Sequence, residues 1–134
     1  MILLAGSQQH YDAMAGKSDT LPNWSPSDMQ AMFDHMNLLN EELRQAGEWV
    51  DGQGLTDPKD ARRVQLEGGK LMITDGPYAE TKEVLAGYWV VECDSLERAT
   101  EIAERAARCP VPEGFPTGAP VDIRRVGEGP EPEA

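Results

Sequence analysis

Basic residues are scarce in this chain. Twelve Lys and Arg stand against 24 Asp and Glu, for a formal net charge of −12. Arg62-Arg63 and Arg124-Arg125 are isolated basic pairs, not clusters. A nucleic-acid backbone is held by clustered cations that release counterions, so no direct nucleic-acid partner is expected. The same charge argues against an anionic membrane surface. Long apolar runs are missing too: none approaches the roughly 20 residues of a bilayer span. Met1-Ile2-Leu3-Leu4-Ala5-Gly6 is short and lacks the basic flank of a signal peptide. The expectation is a cytoplasmic protein with no membrane partner. Cys and His number two each. Cys93 and Cys109 stand alone, and His10 and His35 lie far apart, so no metal spacing arises. Free thiols suit a reducing compartment. There is no Walker loop, no Gly-x-Gly-x-x-Gly opening a helix and no Gly-x-Ser-x-Gly elbow. Gly52-Gln53-Gly54 is too short to cradle a phosphate. No metal and no cofactor is therefore expected.

What is present fits one domain. A chain of 134 residues buries roughly two-thirds of its unfolded surface, enough for one core. Aromatics make up only 6% of the residues, whereas six Met are available to fill irregular gaps. Ile2-Leu3-Leu4 reads as a short first strand. Residues 7–23 lack a period and read as an irregular loop, with a helical turn at Tyr11 to Met14. Ser25 then caps a helix with Pro26 at its first position and Asp28 as a capping-box partner. Met29, Met32, Phe33, Met36, Leu39 and Leu43 make its apolar stripe, and Gly47 ends it. The Met residues in that stripe read as helix core, not as a copper site.

Trp49 to Leu55 reads as a second strand weakened by two glycines. Arg62 to Glu67 and Lys70 to Thr74 flank Gly68-Gly69 as a hairpin. A strong strand runs from about Leu85 to Glu92. A second helix starts near Asp94 with Glu97 as its capping partner, buries Leu96, Ala99, Ile102, Ala103 and Ala106, and stops at Pro110. Val121 to Val126 is a last strand. Residues 1–126 form the domain, and 127–134 an acidic, Pro-rich tail expected to be disordered. The order β-α-β, hairpin, β-α-β suits an α+β fold: a ferredoxin-like sandwich with both helices on one face of an antiparallel sheet. In Tyr88-Trp89-Val90-Val91 both alternation classes are large and apolar. Two packed faces would bury them, which points to a homodimer joined sheet to sheet.

The most specific local chemistry lies at Asp75-Gly76-Pro77-Tyr78-Ala79-Glu80-Thr81-Lys82-Glu83. This run, continued by Gly87-Tyr88-Trp89, resembles the YCII-related proteins, in particular their DGPF-type subgroup. Asn40-Glu41-Glu42-Leu43, Ala46-Gly47 and Val121-Asp122-Ile123-Arg124 extend the resemblance over roughly Met1 to Val126. Many relatives carry Phe where this chain has Tyr78, and their first strand opens with extra residues. The resemblance implies a dimeric α+β barrel, two ferredoxin-like monomers closing their sheets around a shared interior. It also implies small-molecule enzyme chemistry through a His/Asp pair in a cleft. A second implication is an accessory role beside an extracytoplasmic-function sigma factor.

Asp75 and His35 are the candidate catalytic residues. A carboxylate after a strand, raised in pKa by burial, and an imidazole on a helix flank are suited to acid/base work. Against this, Asp before Gly-Pro commonly caps its own turn, and a flank histidine needs no function. His10, beside Gln8, Gln9 and Tyr11, is an alternative partner for Asp75. Tyr78, Glu80, Thr81 and Lys82 are candidate ligand-binding residues, although a Lys among carboxylates also reads as a surface ion-pair cluster. Two functions follow. One is a cofactor-independent small-molecule enzyme with its cleft near the 75–83 run. The other is a non-catalytic ligand-binding or regulatory protein.

Overall fold

The chain runs β1 (Ile2–Gly6), α1 (Gln8–Met14), α2 (Pro26–Gln45), β2 (Trp49–Gly54), β3 (Arg62–Glu67), β4 (Lys70–Asp75), β5 (Val84–Val91), α3 (Leu96–Ala107) and β6 (Val121–Ile123). This is a computed structural model, and it describes residues 1–76, 79 and 82–129. A 3-10 turn, Pro58–Asp60, lies between β2 and β3.

β1 is central in the main sheet. It pairs antiparallel with β5 on one side, Ile2 opposite Trp89, and with β6 on the other, Ile2 opposite Ile123. β2 pairs antiparallel along the far edge of β5. The order β2-β5-β1-β6 with crossing helices is an α+β arrangement of ferredoxin-like plan. β1 runs two residues past the expected Leu4, because Ala5 and Gly6 continue the ladder to Leu85 and Val84 after a bulge. β6 is shorter than expected and ends at Ile123, where its pairing with β1 ends.

Directly paired residues share a sheet face, so Ile2, Trp89 and Ile123 point the same way. Leu39 and Leu43 of α2 and Ile102, Ala103 and Ala106 of α3 close over them. Both helices therefore cover this one face. Trp89 is only 6% exposed, and its indole Nε1–H donates to Asn40 Oδ1 at 2.7 Å. Tyr88 points to the opposite face with Val90, and its hydroxyl donates to Asp51 at 3.1 Å. The ambiguity of the Tyr88-Trp89 pair thus resolves with Trp89 inside.

The capping of α2 is as expected: Asp28 N–H donates to Ser25 Oγ, and Ser25 N–H to Asp28 Oδ2. α3 starts one residue later than expected. Ser95, not Asp94, is its cap and accepts from Arg98 N–H at 3.1 Å. Leu96 consequently falls on the first turn and is 66% exposed instead of joining the core. Arg98 ties α3 to the entrance of β2 through Glu48, at 2.8 Å. Hydrogen bonds from that guanidinium hold the Glu48 carboxyl below the usual carboxylate range, against the opposing effect of burial.

The 7–23 segment departs from the expected loop. It holds a regular helix, α1, whose cap is Ser7: His10 N–H donates to Ser7 Oγ, and Ser7 N–H donates to His10 Nδ1. The hairpin departs as well. β3 and β4 pair only with each other, as a separate two-stranded sheet. Its turn residues Gly68 and Gly69 both have positive φ, 57° and 80°, the geometry that a two-residue hairpin turn demands. Of the expected tail, Gly127 to Gly129 carry no regular element, and 130–134 lie outside the described residues.

Candidate functional site

The core fills only one end of the space between helices and sheet. α2 changes character along its length. Its second half carries Leu39 and Leu43, each about 1% exposed. Toward its N-terminal end it carries Met29, Met32 and Met36, and these line a cavity of about 620 Å³. The volume lies in the range of small-molecule sites.

The floor explains why the space is open. Beneath the Met residues the sheet presents Gly6, Gly52, Gly87 and Ala86 beside Leu4, Gln53 and Trp89, so part of the floor carries no long side chain. These glycines cannot easily grow. A Cβ on Gly52 would lie 2.7 Å from the Trp49 ring and 3.1 Å from Trp89, and one on Gly87 would lie 3.1 Å from the backbone oxygen of Gln53. Trp49 is held in turn by Arg44, whose guanidinium stacks 4.4 Å from the ring centre.

The far wall comes from the segments that flank α1 and follow α3. Phe115 stands between two rings. Trp24 meets it edge-on at 5.5 Å, and His10 lies tilted at 5.6 Å. The Trp24 indole N–H is buried with no acceptor among the described residues. Tyr11 closes the corner, donating its hydroxyl hydrogen to the carbonyl of Leu55 at 2.8 Å. Burial, and then the Asp57 carboxylate, push its phenol above the ordinary value. Cys109 also lines the cavity, and burial pushes its thiol up to about 11.

Two polar side chains in the wall have their orientation fixed by what they already bind. His10 Nδ1 accepts from Ser7 N–H, so the neutral ring carries its hydrogen on Nε2. Asn40 must offer its oxygen to the Trp89 indole, which can only donate. Its amide hydrogens then point elsewhere. No Asp, Glu, Lys or Arg is among the described residues that line the cavity, although such residues make up 27% of the chain.

The residues singled out in the sequence lie elsewhere. Asp75 ends β4 and receives two hydrogen bonds from Arg62 directly across the hairpin, Nε at 2.7 Å and Nη2 at 3.2 Å. Both side chains are well exposed, 63% and 65%. Next to it, Gly76 adopts φ 60° and its N–H donates to Ala61 O at 2.9 Å. His35 Nε2–H donates to the Arg105 carbonyl at 2.7 Å, bridging α2 to α3. Asp75 and His35 are thus engaged with different partners on different elements, and neither lines the cavity. Lys82 is exposed and engaged. Tyr78, Glu80 and Thr81 lie outside the described residues. Sequence reasoning weighed His10 only as a partner for Asp75 and passed over Trp24, Asn40 and Phe115. One signal was available for the cavity, the switch from Met to Leu along α2.

Fold and cavity together define an α+β protein of ferredoxin-like plan with a small-molecule-sized pocket between its sheet and one helix. The family model for the YCII-related domain matches residues 8–114. The chain belongs to the YCII-related family. It is similar to an uncharacterised protein of Rhizobium meliloti (strain 1021), 25% identical over 107 residues, covering 80% of this chain and 86% of that one. No helix among the described residues is long and apolar enough to cross a membrane.

Proposed function

We propose that this protein binds a small molecule, without catalysis, in the cavity between α2 and the sheet. The carrying observation is the cavity itself: about 620 Å³ of Met- and aromatic-walled space over a floor of glycine and alanine. Such a floor gives up core packing, and the walls that face it are braced by the edge-to-face contact of Phe115 and Trp24. Acid/base chemistry at Asp75 and His35 has weaker support. A general base must reach the proton it removes, and these two groups are committed to Arg62 and to the Arg105 carbonyl.

The reading extends to the assembly and the subgroup. The Asp75-Gly76-Pro77-Tyr78 run supports assignment to the DGPF-type subgroup. The sheet face opposite the helices supports a homodimer closed as an α+β barrel, because it carries Leu3, Tyr88 and Val90.

Nile red, a neutral dye that brightens in apolar surroundings, tests the binding site. The expected result is saturable binding to the unaltered chain, reduced at least tenfold by Met32→Trp, which fills the cavity from α2. Unchanged binding in a folded Met32→Trp protein would move the site elsewhere. Asp75→Asn is expected to leave dye binding and melting temperature essentially unchanged, since its ion pair is exposed.

A further inference from the structure

The charge and hydrogen-bonding pattern of the cavity wall specify a ligand class. We infer that the cavity takes an uncharged, predominantly apolar molecule bearing a hydrogen-bond acceptor such as a ketone or quinone oxygen, received by His10 Nε2–H and the Asn40 amide. This rests on the ligand-binding reading above and narrows it.

Charge comes first. An ion entering this space leaves water for a wall that is mostly apolar, with uncharged polar side chains such as Asn37, Gln53 and Thr117 and no side chain of fixed charge among its described residues. Burying a charge without a partner is costly enough that binding sites for ions supply one. This wall supplies no Asp, Glu, Lys or Arg among its described residues. A carboxylate, phosphate or ammonium ligand would therefore lose its hydration uncompensated. The exclusion stands out in a chain of net charge −12, where acidic side chains lie on nearly every surface element.

Polarity comes second. The wall is not featureless, and its fixed groups are donors. His10 is locked by its place in the α1 cap, because a backbone N–H occupies Nδ1. That leaves Nε2–H as its only remaining polar atom. Asn40 is locked by the Trp89 indole, which occupies Oδ1 at 2.7 Å. Its NH2 group is what it retains for other partners. Both residues line the cavity. Two donors held in place by protein partners match an acceptor on the ligand.

Shape comes third. Met29, Met32 and Met36 are unbranched and adapt to flat or irregular apolar bodies. The rings of Phe115 and Trp24 already stand edge to face, a wall suited to a planar partner.

Three naphthalenes of similar size separate these claims: 2-acetylnaphthalene, 2-ethylnaphthalene and 2-naphthoate, titrated at pH 8 and followed by calorimetry or by displacement of Nile red. The ketone is expected to bind about fivefold tighter than the hydrocarbon, the value of one net hydrogen bond. The naphthoate is expected to bind at least about tenfold more weakly than either, from its unpaired charge. His10→Glu keeps a Ser/Glu capping box at α1 and removes the ring donor, so the ketone's advantage over the hydrocarbon should shrink. Naphthoate binding as tightly as the ketone would overturn the inference, and so would equal binding of ketone and hydrocarbon to the unaltered chain. If Nile red binds but the three probes show no ranking, the ligand class is wrong and the cavity stands. If neither dye nor probes bind, both readings fall.

Discussion

Cys109 is the residue whose chemistry the fold changes most measurably. Cys109 lines the cavity, and burial pushes its thiol up to about 11. Thiolate, not thiol, attacks alkylating reagents. Against an ordinary cysteine near 8.5, Cys109 at pH 8 should therefore hold roughly two-hundredfold less thiolate. Iodoacetamide should label it correspondingly slowly, and the rate should keep rising with pH up to about 11. A bound ligand should slow it further. Peptide mapping by mass spectrometry reads this directly, and labelling at the rate of a free cysteine would place the sulfur outside the cavity. Trp24 shows the same economy in another form. Its buried indole hydrogen has no acceptor among the described residues, and its ring packs edge-on against Phe115. His35 is the converse case, a polar group whose one hydrogen bond is satisfied by a neighbouring helix.

At the scale of elements, the cavity depends on two glycines in adjacent strands, Gly52 of β2 and Gly87 of β5. Gly52→Ala puts a methyl group 2.7 Å from the Trp49 ring and 3.1 Å from Trp89. Trp49 can swing, at the cost of its stacking with Arg44. Trp89 cannot, because it is buried and bonded to Asn40. Overpacking of this kind costs about 1–3 kcal/mol. Thermal or urea denaturation should show that loss, and an unchanged midpoint would mean that the sheet floor is more yielding than its contacts imply. Much of the element plan was legible beforehand, and the misses have physical causes. α2 announced itself through Ser25, Pro26 and Asp28. α1 did not, because its capping partner is His10 where Glu or Gln would be diagnostic. The Arg62–Asp75 pair was within reach: counting outward from a two-residue turn at Gly68-Gly69 puts these residues opposite each other. The cavity was not, since its wall joins residues from Leu4 to Val121, and no local period encodes which ends of two packed layers are left unfilled. The Met stripe was read as helix core, yet Met29, Met32 and Phe33 line the cavity and only Met36 also packs against the core.

At the scale of the whole molecule, two apolar surfaces have no covering element among the described residues. One is the sheet face opposite the helices, with Leu3, Tyr88 and Val90. The other is one face of the β3–β4 hairpin, where Val64 pairs with Ile73 and Leu66 with Leu71, all four being more than half exposed. A two-stranded hairpin is marginal alone in water, and apolar surface of this extent marks an interface. The proposed dimer would bury the sheet face, and arms extending from each chain could close over its partner. Charge opposes the association, because each copy brings −12. Screening by salt weakens that repulsion and should tighten the dimer. Sedimentation equilibrium is expected to give twice the 14.7 kDa chain mass, with dissociation favoured at low ionic strength. Val90→Lys sets an ammonium in the middle of the sheet face while leaving the helix-covered core untouched, so it should yield a folded monomer by circular dichroism. Leu66→Lys acts on the arm alone. If Leu66→Lys dissociates the dimer and Val90→Lys does not, the chains meet through their hairpins and the barrel is wrong. A monomer at every salt concentration would reject both interfaces, and the exposed hairpin face would then need a different partner.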